Sequence, residues 1–327
     1  MTDAAVIEME FELLRGLYPG TGSEGSVFDV VIDGAVCTPL TVTAEKIVPF
    51  DLVTGGVEMG PGQRSSMRID LGQGGVERAV EIWFPVVSVF TLIDVRIPSG
   101  AVLRPIEQDR PIWLHHGSSI SQASDAGRAL LTWPEKVARA SGLSLMNLGV
   151  AGQCHLDPFM ARAIRDQPAS LISLEIGINI VNLDTMRERA FTSALNGFLD
   201  TIREAHPNTP ILVISPLLCP AHENDPGPTM WGPDGRIFAA PRTDDGVAGG
   251  LTVSRIRRLI DAEVARRRAR GDGNLQALDG RVLLGPGDEG DLYDGLHPNA
   301  TGQSKIADRF VEAAFGAAGL LAAGARA

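Results

Sequence analysis

The chain has 327 residues, of which 44% are hydrophobic and 21% are charged, and its formal net charge at pH 7 is -11. That length supports two domains with separate hydrophobic cores. An acidic chain lacks the clustered positive charge that nucleic-acid binding requires, so we expect no nucleic-acid partner. No apolar run reaches the roughly 20 residues of a membrane-spanning helix, so we also expect no membrane partner.

The three cysteines, Cys37, Cys154 and Cys219, are an odd number and are widely spaced. This spacing fits neither a disulfide framework nor a zinc motif, and it indicates a reducing compartment. The stretch MTDAAVIEMEFELL lacks the basic start and apolar centre of a signal peptide. We therefore predict a cytoplasmic protein, and a homo-oligomer remains open.

Residues 1–108 contain short β-rich runs separated by clusters of glycine, proline and aspartate. The runs are VIEMEFELL, VFDVVI, SSMRIDL, RAVEIWF and LIDVRI. Short, partly alternating runs with this punctuation are typical of a sandwich or jelly roll. The sequence therefore predicts an all-β accessory domain over residues 1–108.

Residues 109–327 alternate apolar strands with amphipathic helices, which favours an α/β domain with a parallel sheet and helices on both faces. The predicted strands are residues 112–116, 145–148, 171–176, 211–215 and 275–278. Several are apolar throughout, as strands buried on both faces should be.

Three helix signals are specific enough to test. Thr185 and Glu188 form a capping-box pattern at one helix start, and Asp157 with Pro158 predicts a helix that runs to Gln167. The arginine-rich run over residues 255–270 predicts a helix with a solvated face.

Residues 216–250 show little periodicity, which in a compact domain indicates a functional lid or a disordered insert. Met230, Trp231 and Phe238 in this segment either close over an acyl group or pack against the N-terminal domain.

The stretch WLHHGSSISQ, residues 113–122, places two serines after the first predicted parallel strand. Open α/β sheets bind ligands at the carboxyl ends of their strands, so Ser118 or Ser119 is a candidate nucleophile. A serine hydroxyl needs a base, and Asp294 and His297 have a spacing that lets the carboxylate orient the imidazole. The alternative is a capping aspartate and a surface histidine before a helix that begins near Asn299.

Four segments in this order, GSSIS, NLGVAG, LEIGINI and DGLHP, resemble the four motif blocks of the SGNH hydrolases, the GDSL family of esterases and lipases. The resemblance spans Ile112 to Pro298 and implies a flavodoxin-like parallel sheet. Alignment of the first block makes Ser119 the nucleophile, with Ser118 where the family usually has aspartate.

The remaining blocks imply the rest of the machinery. Asp294 and His297 complete the triad, and the oxyanion hole is formed by Ser119, Gly152 and Asn179. In the third block Ile180 stands where the family often has aspartate.

The resemblance implies a serine esterase that hydrolyses a small or medium acyl ester through an acyl-enzyme, with no cofactor and no metal. An acyltransferase with the same triad is the first alternative, and a carbohydrate-binding module with a vestigial hydrolase fold is the second. The N-terminal domain resembles those fused to some carbohydrate esterases and to a family branch that includes a salicylyl acyltransferase of tetracycline biosynthesis. We expect it to have a structural or pocket-shaping role.

Other polar residues near the blocks have simpler interpretations. His115, His116, His155 and Asp157 are not spaced as metal ligands, so we expect local hydrogen bonding. Trp133, before Pro134, either braces the turn that carries the candidate serines, residues 117–121, or packs in the core. We call these residues the nucleophile turn.

Overall fold

The computed structural model describes residues 1–17, 24–49, 60–106, 109–241, 249–317 and 319–321. Contacts divide the chain into two compact units: Met1–Gln108 with Gly127–Leu131, and Asp109–Ala126 with Thr132–Ala327. The sequence did not predict that the five residues Gly127–Leu131 would belong to the first unit. Within that unit, Arg128 donates two hydrogen bonds to the fully buried carboxylate of Asp29.

The described residues of the first unit form eight strands in two sheets. They are β1 (Val6–Leu17), β2 (Ser26–Ile32), β3 (Ala35–Val36), β4 (Leu40–Val42), β5 (Lys46–Pro49), β6 (Gln63–Asp70), β7 (Val80–Trp83) and β8 (Val89–Arg96). Strand β1 pairs antiparallel with β6 and β8 and parallel with β5, whereas β2 pairs antiparallel with β3, β4 and β7.

The alternation along β1 explains the packing of this unit. Ile7, Met9, Phe11 and Leu13 are buried at every second position and share one core with Phe28 of the other sheet. Alternate side chains of a strand point to the same face, so β1 presents a continuous apolar face to the core. The predicted all-β domain is confirmed, with two sheets around one core.

The second unit contains a five-stranded parallel sheet, a two-stranded hairpin and seven α-helices within its described residues. The strands are β9 (Ile112–Gly117), β10 (Ser144–Gly149), β11 (Leu171–Glu175), β12 (Ile211–Ile214), β13 (Thr229–Trp231), β14 (Ile237–Ala239) and β15 (Leu275–Leu278). The helices are α1 (Ser119–Gln122), α2 (Trp133–Ser141), α3 (Pro158–Arg165), α4 (Ile178–Asn182), α5 (Glu188–Arg203), α6 (Val253–Ala269) and α7 (Ala300–Phe315).

The parallel sheet has the order β10-β9-β11-β12-β15, which is the flavodoxin-like order. All five predicted strands are confirmed to within one residue at each end. Strands β11 and β12 are buried at every position, which explains the continuous apolar sequence of β12.

The predicted capping box at Thr185 is wrong. Helix α5 begins at Glu188, and Arg187 occupies the N-cap position without a side-chain cap. The Glu188 carboxylate binds the Arg255 guanidinium instead, because a charged partner makes a stronger hydrogen bond than a backbone amide. The Thr185 hydroxyl lies 3.3 Å from His155 Nδ1.

The other two helix predictions need smaller corrections. Helix α3 has Asp157 at its N-cap and proline in its first turn as predicted, but it ends at Arg165, two residues early. The arginine-rich helix α6 is not solvated at every arginine. Arg257 is 3% exposed and donates to Glu223 and to two backbone carbonyls.

The segment over residues 216–250 contains regular structure that its sequence did not reveal. A 3-10 turn over Pro220–His222 precedes the antiparallel hairpin of β13 and β14. Residues 242–248 of the predicted lid or insert lie outside the described residues. Across the described part of the chain, no helix combines the length and apolar character needed to cross a bilayer.

Candidate active site

The candidate residues meet at the carboxyl edge of the parallel sheet. Ser119 opens α1 directly after β9, Gly152 follows β10, and Asn179 lies in α4 after β11. Asp294 and His297 lie in the loop before α7. The adjacent strands β9 and β11 send their chains to the point where the strand order reverses, the usual ligand-binding place in such sheets.

A hydrogen-bonded series joins Ser119, His297 and Asp294. Ser119 Oγ lies 2.8 Å from His297 Nε2, and His297 Nδ1 lies 2.6 Å from Asp294 Oδ2. The other carboxylate oxygen, Oδ1, accepts from the backbone N–H groups of Leu296 at 2.8 Å and His297 at 2.6 Å. Asp294 therefore holds the imidazole proton on Nδ1 and leaves Nε2 as the acceptor that faces Ser119.

The electrostatics of this pair favour a charged imidazole. Burial opposes the charged form of His297, but the hydrogen bond to Asp294 and its negative charge outweigh burial and raise the histidine's pKa above its ordinary value. Burial also works against an ionised Asp294, yet the bonds from His297 lower the pKa of this carboxyl. The site therefore stabilises the imidazolium that forms when His297 takes up a proton.

The two adjacent serines point to different partners. Ser118 is fully buried, and its hydroxyl donates to Glu175 Oε2 at 2.7 Å. The hydroxyl that lies beside the His297 imidazole belongs to Ser119. The backbone explains this division, because Ser118 occupies the N-cap of α1 in an extended conformation and Ser119 is the first helical residue.

The structure also orients the amide of Asn179. Gly177 has a φ of +115°, which only glycine adopts without strain, and it turns the chain from β11 into α4. Asn179 Oδ1 then accepts from the backbone N–H of Cys154 at 3.0 Å. With its oxygen used in this way, Nδ2 is the end of the amide that can donate to a substrate oxygen.

Gly152 lies in the turn after β10 with a φ of +70°. Its carbonyl lies 3.0 Å from His155 Nε2, so that histidine braces the turn. A Cβ added at Gly152 would meet no described atom within 4 Å. Its backbone can therefore be approached closely by a bound molecule.

The remaining histidines near the blocks make local hydrogen bonds. His115 Nδ1 lies 2.6 Å from Ser173 Oγ, and His116 Nδ1 lies 2.7 Å from the carbonyl of Leu148. Burial lowers the pKa of His115 to about 3 and also lowers the pKa of His116. Among the described residues, no three His, Cys, Asp or Glu side chains are grouped as metal ligands.

Three residues around the nucleophile turn escaped the sequence analysis or were left undecided. Asn147 Nδ2 donates to the carbonyl of Ser121, and Glu175 accepts from both Ser118 and Ser121. Trp133 is buried in the core, and its Nε1 also donates to the carbonyl of Ile120. The available signal for Glu175 was a single charged residue in an otherwise uncharged strand.

A cleft of about 730 Å³ lies beside the loop that carries Asp294. Its lining includes Gly295, Arg236 and Phe238. On the hairpin of β13 and β14, Trp231 is 53% exposed and Met230 is 46% exposed. These apolar side chains therefore remain available to solvent at the surface of the second unit.

The model of the GDSL-like lipase/acylhydrolase family matches residues 116–305, which is more than half of the chain. The salicylyl-acyltransferase SsfX3 from a tetracycline biosynthetic pathway is 30% identical, with 94% of this chain and 78% of that chain covered and a TM-score of 0.73. No protein with a curated description matches the sequence.

Two further solved structures share the fold. A GDSL-like lipase from Bacteroides ovatus, which its description calls putative, is 21% identical, with 96% and 82% of the two chains covered and a TM-score of 0.64. A family two carbohydrate esterase from Clostridium thermocellum is 13% identical, with 95% and 89% covered and a TM-score of 0.62. From the family match and the similarity to the acyltransferase, we conclude that this chain belongs to the GDSL-like lipase/acylhydrolase family.

Proposed function

We propose that the protein is a serine esterase that hydrolyses a small or medium acyl ester through an acyl-enzyme on Ser119. The observation that carries the proposal is the series from Ser119 Oγ to His297 Nε2 and from His297 Nδ1 to Asp294, with separations of 2.8 and 2.6 Å. Nucleophile, base and orienting carboxylate are the three roles that this chemistry requires.

In the proposed reaction, Ser119 Oγ attacks the ester carbonyl while His297 Nε2 takes up the hydroxyl proton. Asp294 stabilises the resulting imidazolium, and the backbone N–H groups of Ser119 and Gly152 with Asn179 Nδ2 receive the developing oxyanion. His297 then returns the proton to the leaving alcohol. Water attacks the acyl-enzyme by the same route and releases the acid.

The test is intact-protein mass after incubation with a fluorophosphonate, together with turnover of p-nitrophenyl esters of increasing chain length. The wild type should gain one adduct and hydrolyse the short esters, and Ser119→Ala should lose both. Ser124→Ala removes a partly buried serine five residues along the chain and is the matched control. Loss of labelling in Ser124→Ala, or an adduct on Ser119→Ala, would contradict the assignment of Ser119.

An acyltransferase is the second candidate, and the 30% identity to a salicylyl-acyltransferase over 94% of this chain favours it. The same residues would form the acyl-enzyme, but an acceptor alcohol would replace water in the second half of the reaction. An adduct without measurable hydrolysis, followed by ester formation when alcohols are supplied, would establish the transferase. Fast hydrolysis that acceptors leave unchanged would establish the esterase.

The cellular setting belongs to the same proposal. A small-molecule ester is the proposed partner, and a cytoplasmic location is supported by free cysteines at positions 37, 154 and 219. Cell fractionation of the tagged native protein tests this location, and recovery from the extracellular fraction would refute it.

A further inference from the structure

A buried carboxyl group lies directly beneath the nucleophile turn and has no part in the reaction described above. Glu175 ends β11 and is fully buried. Its Oε2 accepts from the backbone N–H of Ser118 at 2.9 Å, from Ser118 Oγ at 2.7 Å and from Ser121 Oγ at 3.1 Å. Ser118 is the N-cap of α1 and Ser121 lies within it, so Glu175 binds a residue on each side of Ser119.

A chain of hydrogen bonds between buried side chains also ends on the carboxyl group of Glu175. Ser121 uses its only proton on Glu175, so His115 Nε2, 2.8 Å from Ser121 Oγ, must be the donor to that oxygen. Burial lowers the pKa of His115 to about 3, so the ring is neutral and its Nδ1 accepts from Ser173. Ser173 in turn accepts from Trp113 Nε1. Four successive hydrogen bonds therefore run in one direction and end on Glu175.

The neighbouring backbone leaves space for this arrangement. A Cβ added at Gly117 would lie 2.2 Å from Ser121 Oγ and 2.8 Å from Glu175 Oε2, which are both closer than real Cβ contacts. The glycine that opens the first motif block is therefore needed where Glu175 and Ser121 approach the strand. Glu175 Oε1 has no hydrogen-bond partner among the described residues, so the described hydrogen bonds of this carboxyl all go to the turn.

We propose that Glu175 is a positioning residue of the nucleophile turn, and that it supplies from β11 the carboxyl group that the family motif usually carries at the position of Ser118. The serine at position 118 and the glutamate at position 175 then form one functional unit. Through Ser118 and Ser121, Glu175 holds Ser119 Oγ beside His297. This inference rests on the proposed role of Ser119 as the nucleophile.

The test is a double-mutant cycle of Glu175→Gln and Ser118→Asp on the full chain. In Glu175→Gln the amide oxygen can take the place of Oε2, but a neutral amide oxygen is a weaker acceptor for three donors than a carboxylate. The amide N–H groups then occupy the position of Oε1, which has no described partner, so the turn is held less firmly. We expect kcat to fall by up to about 100-fold, with KM unchanged, because displacement of a reacting group by an ångström costs that much. The rate of fluorophosphonate labelling should fall in parallel.

Ser118→Asp places a second carboxyl beside Glu175 in the same buried site. Its activity relative to the wild type should rise as the pH is lowered from about 9 to about 6, because the pair can then share a proton. In the double variant the new carboxyl can accept from the amide of Gln at position 175, so activity should recover about 10-fold over Ser118→Asp. If Ser118→Asp alone does not fold, recovery of a folded and labelled double variant is the same rescue.

Glu263→Gln is the matched control, because Glu263 is another buried carboxyl of the second unit and is bound by Arg266 and Arg267. It should lower the melting temperature without changing kcat or the labelling rate. A double variant no better than Ser118→Asp, or a Glu175→Gln variant with wild-type kcat, would overturn the inference. A wild type that gives no adduct would instead refute the proposed nucleophile, so the two failures are distinguishable.

Discussion

Replacement of Asp294 by asparagine should inactivate the protein almost completely without unfolding it. In Asp294→Asn the amide oxygen can take the place of Oδ1 and keep the bonds from the backbone N–H groups of Leu296 and His297. The amide nitrogen then takes the place of Oδ2, 2.6 Å from His297 Nδ1. Because that nitrogen is a donor, the imidazole proton must move to Nε2, and His297 can no longer accept a proton from Ser119.

The loss expected from this wrong tautomer is about 10⁴-fold in kcat. At about 1.36 kcal/mol per factor of ten, this equals about 5 kcal/mol of transition-state stabilisation. Since two of the three hydrogen bonds of the carboxylate are kept, the melting temperature should change little. Asp288→Asn is the control from the same loop, and it should lower stability with unchanged turnover.

The assay is p-nitrophenyl acetate hydrolysis and the rate of fluorophosphonate labelling, measured beside thermal unfolding for both variants. Activity of Asp294→Asn within about tenfold of the wild type would refute the tautomer argument, because no partial effect is expected from a reversed donor. An inactive variant that is also unfolded would instead show that the two backbone bonds do not survive the change.

Three further outcomes follow from the site and its surroundings. The pKa of His297 is raised, and the base must be neutral to accept a proton. We therefore expect kcat/KM to rise with pH and to reach half its maximum above the ordinary histidine value of about 6.5. A pH profile that is flat through that range would exclude His297 as the base. Asn179→Ala should lower kcat about 100- to 1000-fold because an oxyanion donor is lost. It should also lower stability, because the backbone N–H of Cys154 loses its acceptor. Kinetics and thermal unfolding of one preparation test both effects. The hydrogen bond from Arg309 holds the pKa of Asp288 well below its ordinary value. The contribution of Asp288 to the free energy of unfolding should therefore be complete at neutral pH and be lost as the pH falls below the ordinary aspartate value of about 3.9. The free energies of unfolding in urea of the wild type and Asp288→Asn should converge in acid.

The parallel sheet could be predicted from the sequence because burial on both faces removes polar residues from its strands. The run Ile211–Ile214 is buried at every position, and it is apolar for that reason. Once the strands were placed, the rule that ligands bind at their carboxyl ends brought Ser118 or Ser119 to one edge, whereas Asn179 was implied by the family resemblance. The structure places Ser119 and Asn179 at that edge, in the helices α1 and α4 that follow β9 and β11.

Features that depend on competition between partners could not be predicted. The capping-box pattern at Thr185 and Glu188 is locally valid, but Arg255 comes from a helix 67 residues away and takes the carboxylate. The hairpin of β13 and β14 has only three residues in each strand, too few for a period-2 pattern to stand out. In the first case the deciding information lies outside the window that a sequence pattern samples, and in the second the strands are shorter than that window.

The serine at position 118 shows how such distant information also changes the interpretation of a motif. Within GSSIS, this residue is a departure from the family pattern, and taken alone it weakens the assignment of the neighbouring nucleophile. In the structure Ser118 is bound through both its amide and its hydroxyl to Glu175, which is 57 residues away in sequence and is the sole charged residue of a buried strand. A buried acid without a partner would be costly, and a motif serine without a carboxyl would leave the turn unsupported. Each unusual residue therefore accounts for the other, and neither has a physical explanation when it is considered alone.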